Sequence, residues 1–189
     1  MADLLPLLES GPGWTIADKY DPRVVRFADR HYSRQTPGSP QCCRPGHNMV
    51  LWHPAGAAWV WWRPIDAVGR KDALRAIECT LFRSECSILS SDLVRAAVGC
   101  LLSWTYYDAG YRVITGIGVS DTARRRSRWS LPGHCFRAAG WVDIAGKRSQ
   151  RAECWLECPP EVLRTTPRLA PVIEWRGQMQ MDLSVTPCP

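Results

Sequence analysis

Residues 76–119 read AIECTLFRSECSILSSDLVRAAVGCLLSWTYYDAGYRVITGIGV, and their pattern indicates the central topology. Its first part, Ala76 to Phe82, alternates weakly in polarity, which is typical of a strand. Its last part, Arg112 to Val119, is a second short apolar run that also predicts a strand. The segment between them is long enough for a helix, so the stretch predicts a β-α-β crossover with two parallel strands.

The segment between the two strands has the pattern of an amphipathic helix. Its apolar residues recur at helical spacing. They are Leu93, Val94, Ala97, Val98, Leu101 and Leu102. Ser90, Ser91 and Asp92 are N-cap candidates at its start, and we expect the helix to end near Tyr107 to Gly110.

A helix and a hairpin are expected on the N-terminal side of this stretch. Asp21 followed by Pro22 is typical of an N-cap and the first helical residue, and the helix should run to about His31. Met49 to His53 and Ala57 to Arg63 are aromatic-rich extended runs with a Pro-Ala-Gly turn between them. That arrangement predicts an antiparallel β-hairpin.

Shorter elements are expected on the C-terminal side. Gly133 to Ala139 predicts a short helix that Gly140 closes as its C-terminal glycine. Ala152 to Cys158 predicts a further strand, and Ile173 to Arg176 is a weak extended segment in a proline-rich tail. The order of elements predicts an α/β fold with a mixed sheet.

The length of 189 residues suits a single domain with extensions at both ends. We assign residues 1–20 to an N-terminal arm, 21–158 to the domain and 159–189 to the C-terminal tail. No apolar run reaches the length of a membrane span, so no membrane partner is expected. The nine cysteines are odd in number and form no CxxC pair, which favours free thiols, argues against structural zinc and suggests a reducing cytoplasm.

Basic residues suggest a polyanionic partner. The net charge is +6, and Arg124, Arg125, Arg126 and Arg128 lie together beside Trp129. Arginine forks suit phosphate oxygens, and a tryptophan can stack on a base, so this cluster predicts a contact with nucleic acid. Other arginines that fit this interpretation are Arg23, Arg26, Arg30, Arg34 and Arg44. A GC-rich genome would also explain the excess of arginine over lysine, although it explains the cluster less well.

The run Asp29-Arg30-His31-Tyr32-Ser33-Arg34 concentrates reactive groups where the first predicted helix ends. A loop that follows a rigid element is a common position for catalytic and binding side chains. His31 is a candidate general base or metal ligand, and the alternative is a histidine that faces the helix dipole. Tyr32 is a candidate for stacking or hydrogen bonding, and the alternative is packing.

Three blocks together resemble phage Mom-type DNA modification proteins and their relatives with a GNAT-like (N-acetyltransferase-like) fold. The blocks are His31 to Arg34, Phe82 to Glu85 with Ser90 to Leu93, and Pro132 to Phe136 with Ala139 to Trp141. The resemblance covers about residues 25–157. It implies a GNAT-like acyltransferase fold for the domain.

The resemblance also implies a function. Mom-type proteins modify the exocyclic amine of adenine in double-stranded DNA with a carbamoylmethyl or acyl-type group, which protects phage DNA from restriction. The expected location is the cytoplasm of an infected bacterial host, and the expected partners are DNA and a small-molecule group donor. Acyl-CoA or a related acyl donor is one implied cofactor, and iron is another in some members.

The resemblance implies a set of catalytic residues as well. They are His31, Tyr32, Arg83, Ser91 and Asp121, with His31 and Asp121 the best candidates for binding a metal. Arg83, Glu85, Ser90 and Ser91 are expected to bind the cofactor. An Arg83–Glu85 surface salt bridge, N-caps at Ser90 and Ser91, and an Asx-turn at Asp121 are the structural alternatives.

Two departures from the GNAT pattern concern the donor. Conventional members have glycines in the loop after the fourth strand, where backbone amides approach a pyrophosphate, but Cys86 and Ile88 stand at those positions here. Phe136 stands where many members have a proton-donating tyrosine. Two other hypotheses therefore remain: a coenzyme A-dependent N-acyltransferase acting on a small amine or protein, and a non-catalytic nucleic-acid binder.

Overall fold

The computed structural model describes residues 13–34, 36–118, 132–145 and 154–173. The strands are β1 (Thr15–Ala17), β2 (His47–His53), β3 (Ala57–Arg63), β4 (Ala76–Ser84), β5 (Arg112–Ile117), β6 (Val142–Asp143), β7 (Cys154–Cys158) and β8 (Val172–Ile173). The helices are α1 (Pro22–Asp29), α2 (Ser90–Leu102), α3 (His134–Ala138) and α4 (Pro160–Thr165).

The described strands form one mixed sheet in the order β6-β7-β5-β4-β3-β2-β1-β8. β2, β3 and β4 pair antiparallel, as the hairpin pattern predicts. β4 and β5 pair parallel across α2, so the predicted β-α-β crossover is confirmed. The mixed α/β class is therefore confirmed as well.

The ends of the two longer helices follow different rules. Asp21 is the N-cap of α1, and its side chain accepts a hydrogen bond from the backbone N–H of Arg23, as expected. The N-cap of α2 is Leu89, so the prediction of Ser90 or Ser91 as the cap is wrong, and both serines lie inside the first turn.

The predicted end of α2 near Tyr107 to Gly110 is also wrong, because the helix stops at Leu102. The backbone N–H of Ser103 bonds back to the last turn, and Trp104 and Tyr107 continue as successive turns. Tyr106 instead stacks on the ring of His47 with the ring centroids 4.1 Å apart. The aromatic residues after Leu102 thus pack away from the helix axis.

Each face of the sheet has its own core. On one face α2 covers Trp59 and Trp61 of β3, and the Trp61 indole N–H donates to the carbonyl of Ala97 at 3.1 Å. On the other face α1 packs its Val24 and Phe27 against alternate residues of β2, β3 and β4. The period-two alternation of β3 therefore serves both cores, which is why nearly all of that strand is apolar.

The sheet extends into both terminal extensions. β1 lies within residues 1–20 and pairs antiparallel with β2. β8 lies within residues 159–189 and pairs parallel with β1. Parts of the segments assigned to the arm and the tail thus complete the sheet.

β4 and β5 separate halfway along their length. They pair only from Ala76 and Arg112 to Cys79 and Thr115, although both strands continue. At this point β4 also has a bulge, because Cys79 pairs with Trp61 while Leu81 pairs with Val60, which leaves Thr80 as the extra residue. A bulge bends a strand away from its neighbour. The described parts of the two strands therefore diverge beyond Cys79 and Thr115.

Gly46 provides a test of the packing around Trp62 and Arg63 of β3. It has φ +141°, and a Cβ there would approach the Trp62 indole nitrogen to 2.3 Å and the Arg63 carbonyl oxygen to 2.7 Å. We expect Gly46→Ala to lower the free energy of unfolding by about 2–4 kcal/mol, measured by urea titration.

The matched control is Gly38→Ala, because Gly38 has φ +79° and open space around its Cα. An alanine there introduces backbone strain without a steric clash, so it should lower the free energy of unfolding by about 1 kcal/mol. Equal losses at the two sites would contradict the packing that we describe.

Candidate functional site

A cleft of about 1310 Å³ opens where β4 and β5 diverge. Its walls come from four parts of the chain: the residues after α1, the loop of residues 36–44, the separated ends of β4 and β5, and the start of α3. β7 adds Trp155 to the lining. Several distant segments therefore converge on the point where the sheet is interrupted.

The segment after α1 spans the gap between the two strands. The Tyr32 hydroxyl donates to the carbonyl of Gly116 on β5 at 3.2 Å. The Ser33 hydroxyl lies 3.4 Å from the carbonyl of Thr80 on β4, at the bulge. Backbone carbonyls at the ends of separated strands lack their usual ladder partners. Adjacent side chains of one loop therefore reach one such carbonyl on each strand.

His31 is a neutral histidine that is fixed in place within the cleft. Burial, followed by the nearby positive charge of Arg83, lowers its pKa from 6.5 to about 4, while a hydrogen bond to the Phe82 backbone acts in the opposite direction. Its Nδ1 lies 2.7 Å from the Ser33 hydroxyl oxygen and 3.3 Å from the Ser33 backbone nitrogen. Because the backbone N–H can only donate, Nδ1 is the unprotonated nitrogen.

Tyr32 lies beside His31 with the ring centroids 4.2 Å apart. The residue is 47% exposed, but its hydroxyl reaches inward to β5. Burial around that hydroxyl raises the pKa of Tyr32, so the phenol keeps its proton at neutral pH. The sequence prediction that both residues belong to one site agrees with this geometry.

Arg83 and Glu85 lie beside this segment rather than in the lining of the cleft. Glu85 accepts from Arg83 at 2.8 Å and from Arg30 at 2.9 Å, and Arg83 also donates to the carbonyl of Arg30 at 2.7 Å. The Arg83 hydrogen bond is the main reason why the pKa of Glu85 is lowered. Arg83 thus supports the backbone directly before His31.

The expected coenzyme A site does not fit the described residues. The Arg83 guanidinium is engaged with Glu85 and the Arg30 carbonyl, and side chains fill the loop where backbone amides would approach a pyrophosphate. Ser90 and Ser91 stand at the start of α2, outside the cleft lining. Leu89 gives this helix end no side-chain cap. The structure does not bring these two serines together with His31 and Tyr32.

An iron centre does not fit the described residues either. No group of three His, Cys, Asp or Glu side chains in the described ranges could hold a metal ion. The Nδ1 of His31 has a partner in Ser33, and Asp121, the other candidate ligand, lies outside the described residues.

Arg34 has a different environment from the one its charge suggested. Its guanidinium is paired with Asp29 at 2.8 Å and donates to the carbonyls of Gln41 and Ser39 at 2.7 Å each. The side chain is only 11% exposed, so it holds the loop of residues 36–44 against α1. The basic cluster predicted to bind nucleic acid lies outside the described residues: Arg124, Arg125, Arg126, Arg128 and Trp129.

The inner end of the cleft is polar, which the sequence reading missed. Glu78 accepts a hydrogen bond from Arg44 at 2.6 Å and another from Arg70. Arg44 also lies over the ring of Trp62, 4.1 Å from its centroid. The partners come from separate loops, so the one signal in the sequence was Glu78, a charged residue among the apolar residues at the start of β4.

Cys79 and Cys135, two of the cysteines that line the cleft, are thiols without activation. Burial raises the pKa of Cys135, and it raises that of Cys79 strongly. Cys135 is therefore an unreactive thiol, although it stands at the start of α3.

No protein-family model, curated protein or solved structure matches this chain. None of the helices in the described ranges has the length and apolar character needed to cross a membrane.

The buried neutral state of His31 predicts a pH dependence of stability. The pKa is about 4 in the folded protein and near 6.5 when unfolded, so acid favours the unfolded chain. Above about pH 6.5 protonation of this histidine does not affect the free energy of unfolding. As the pH falls from there towards 4, the free energy of unfolding decreases by up to about 3 kcal/mol. His31→Gln, which cannot titrate, should lose less stability over this range in urea titrations.

His134→Gln is the control, since it makes the same change at an exposed helical position. Its free energy of unfolding should follow the wild type at every pH. An identical acid loss in His31→Gln and wild type would contradict the buried neutral histidine.

The environment of Arg34 predicts a structural effect of Arg34→Lys. A lysine keeps the charge but cannot reach the carboxylate and both carbonyls, so we expect a loss of about 1–3 kcal/mol and faster proteolysis of residues 36–44. Arg26→Lys, at an exposed position of α1, is the control. Loss of DNA binding with unchanged stability would contradict the internal role of Arg34.

Proposed function

We propose that the protein is a group-transfer enzyme that modifies the exocyclic amine of adenine in double-stranded DNA, as the resemblance to Mom-type proteins suggests. The observation that carries the proposal is the cleft at the divergence of β4 and β5, which holds His31 and Tyr32 side by side. In this proposal the protein acts in the cytoplasm of an infected bacterium and protects DNA from restriction.

The order of the elements supports a GNAT-like fold. An antiparallel β2-β3-β4 unit is followed by a helix and a parallel β5, and α1 precedes the hairpin. The described parts of β4 and β5 separate beyond Cys79 and Thr115.

The size of the cleft supports a reaction between two molecules. Pockets for a single drug-sized ligand have volumes of about 300–1,000 Å³. The cleft here is larger, at about 1310 Å³. It therefore has room for a nucleobase together with a small group donor. A base within a duplex must be flipped out before its amine can enter such a site.

The two central side chains have complementary proton states. His31 is a neutral acceptor at physiological pH because its pKa is lowered, and Tyr32 is a protonated donor because its pKa is raised. Transfer of a group to an amine needs a base for the amine proton and an acid for the leaving group. Each side chain starts in the proton state that its task needs, while the lowered pKa makes His31 a weaker base and the raised pKa makes Tyr32 a weaker acid than the free side chains.

Exposed arginines support a polyanionic substrate. Arg26 and Arg30 are exposed on α1 and directly after it, and Arg44, which pairs with Glu78 in the cleft lining, is still 48% exposed. Phosphate contacts of this kind position DNA without reading its sequence. The donor stays unassigned, since the loop before α2 does not fit coenzyme A.

Nucleoside mass spectrometry of DNA from bacterial cells expressing the protein, or of DNA incubated with it in a host lysate, tests the proposal. We expect a modified adenine nucleoside with the wild type and a loss of about 100-fold with Tyr32→Phe, because the phenol proton is removed. Tyr106→Phe is the matched control, since Tyr106 stacks on His47 outside the cleft lining.

Other outcomes would assign another function. Unmodified nucleosides together with saturable thermal stabilisation by acetyl-CoA would favour a coenzyme A-dependent acyltransferase of a small amine or protein. Salt-sensitive DNA binding without any new nucleoside, unchanged in His31→Ala, would favour a non-catalytic binder. Either result would overturn the proposal.

A further inference from the structure

Ser33 has the closest contact to the unprotonated nitrogen of His31. Its hydroxyl oxygen lies 2.7 Å from His31 Nδ1 and 3.4 Å from the Thr80 carbonyl oxygen. A hydroxyl has a single proton to donate, and the shorter distance is typical of a strong hydrogen bond while the longer one is weak. The hydroxyl proton of Ser33 therefore points to His31.

His31 is held in the orientation that this contact needs. Its ring packs against Tyr32, the Ser33 backbone nitrogen lies 3.3 Å from Nδ1, and a hydrogen bond to the Phe82 backbone holds the ring as well. A hydroxyl is arranged as an activated nucleophile when it donates to a base and a third group holds that base on its other side. Ser33 is exposed and lines the cleft, so its oxygen is open to a ligand there.

We propose that Ser33 is a nucleophile that carries the transferred acyl group between the donor and the acceptor amine. The Ser33 oxygen attacks the carbonyl carbon of an activated ester or thioester, and its proton moves to His31 Nδ1. The bond to the leaving group then breaks, and the leaving group takes that proton from His31. The products are an acylated Ser33 and a free alcohol or thiol.

The second half of the reaction restores the enzyme. An amine attacks the carbonyl of the acylated Ser33, His31 takes the amine proton and returns it to the serine oxygen, and the amide leaves. This inference rests on the proposed function, in which the amine belongs to adenine. It adds that donor and DNA need not be bound at the same time.

The test uses 4-nitrophenyl acetate as the activated ester, with intact-protein mass spectrometry and peptide mapping. We expect one acetyl group on Ser33 in the wild type and none at that position in Ser33→Ala. His31→Gln should slow acetylation of Ser33 by about 100-fold, because the base is removed. Ser103→Ala is the control, since Ser103 is an exposed serine at the end of α2.

Thermal unfolding of each variant shows whether it is folded. If Ser33→Ala does not fold, Ser33→Cys provides a second test of the same position. The cysteine variant should form a thioester at the same position. A wild-type protein without an adduct on Ser33, or with equal acetylation in wild type and His31→Gln, would overturn the inference.

The outcome separates the inference from the proposed function. A modified nucleoside that forms equally well with Ser33→Ala would leave the function standing and remove the nucleophile. Acetylation of Ser33 without any modified nucleoside would support Ser33 as a nucleophile and contradict DNA as the substrate.

Discussion

The separation of β4 from β5 is the constraint on which the rest of the structure depends. Two parallel strands that part after Cys79 and Thr115 leave backbone groups without ladder partners inside the protein. The last rung is reinforced from the side, since the Thr115 hydroxyl donates to the Cys79 carbonyl at 3.1 Å. Beyond it, the bulge at Thr80 turns β4 away and the cleft begins.

The same unmet carbonyls explain why reactive side chains gather at this place. Tyr32 and Ser33 reach the carbonyls of Gly116 and Thr80, and in doing so they carry His31 into the cleft. Arg34 then secures the following loop, which brings Arg44 to Glu78 at the inner end. Structural and chemical roles thus coincide in one short segment.

The elements that the sequence predicted well are those whose stability is local. The β2–β3 hairpin follows from its turn, and the crossover follows from the apolar spacing of α2. β1 and β8 have three and two residues, and they exist through pairing with distant strands. The sequence indicated nothing at β1, and at β8 it indicated only the weak extended segment that begins at Ile173. The end of α2 was missed because the aromatic packing after Leu102 competes with helical propensity.

The candidate site could be predicted only in part from the sequence, for a similar reason. The run after α1 could be recognised by its composition, and it does lie in the cleft. Its contacts with β4 and β5 join residues far apart in the sequence, so the roles of Ser33 and Arg34 needed the fold. Arg34 shows that an arginine in a basic chain can be an internal ligand of backbone carbonyls rather than a contact for phosphate.

The bridging pair also fixes the width of the opening. Tyr32 and Ser33 are neighbours, so their Cα atoms lie about 3.8 Å apart, and each side chain holds a different strand. The width of the opening is therefore set by one peptide unit and the lengths of two side chains. A ligand that forces the strands further apart must break the Tyr32 hydrogen bond to the Gly116 carbonyl and move Ser33 away from the Thr80 carbonyl. A ligand that fits between the strands leaves both contacts in place, so the spacing of the strands limits how thick a bound group can be.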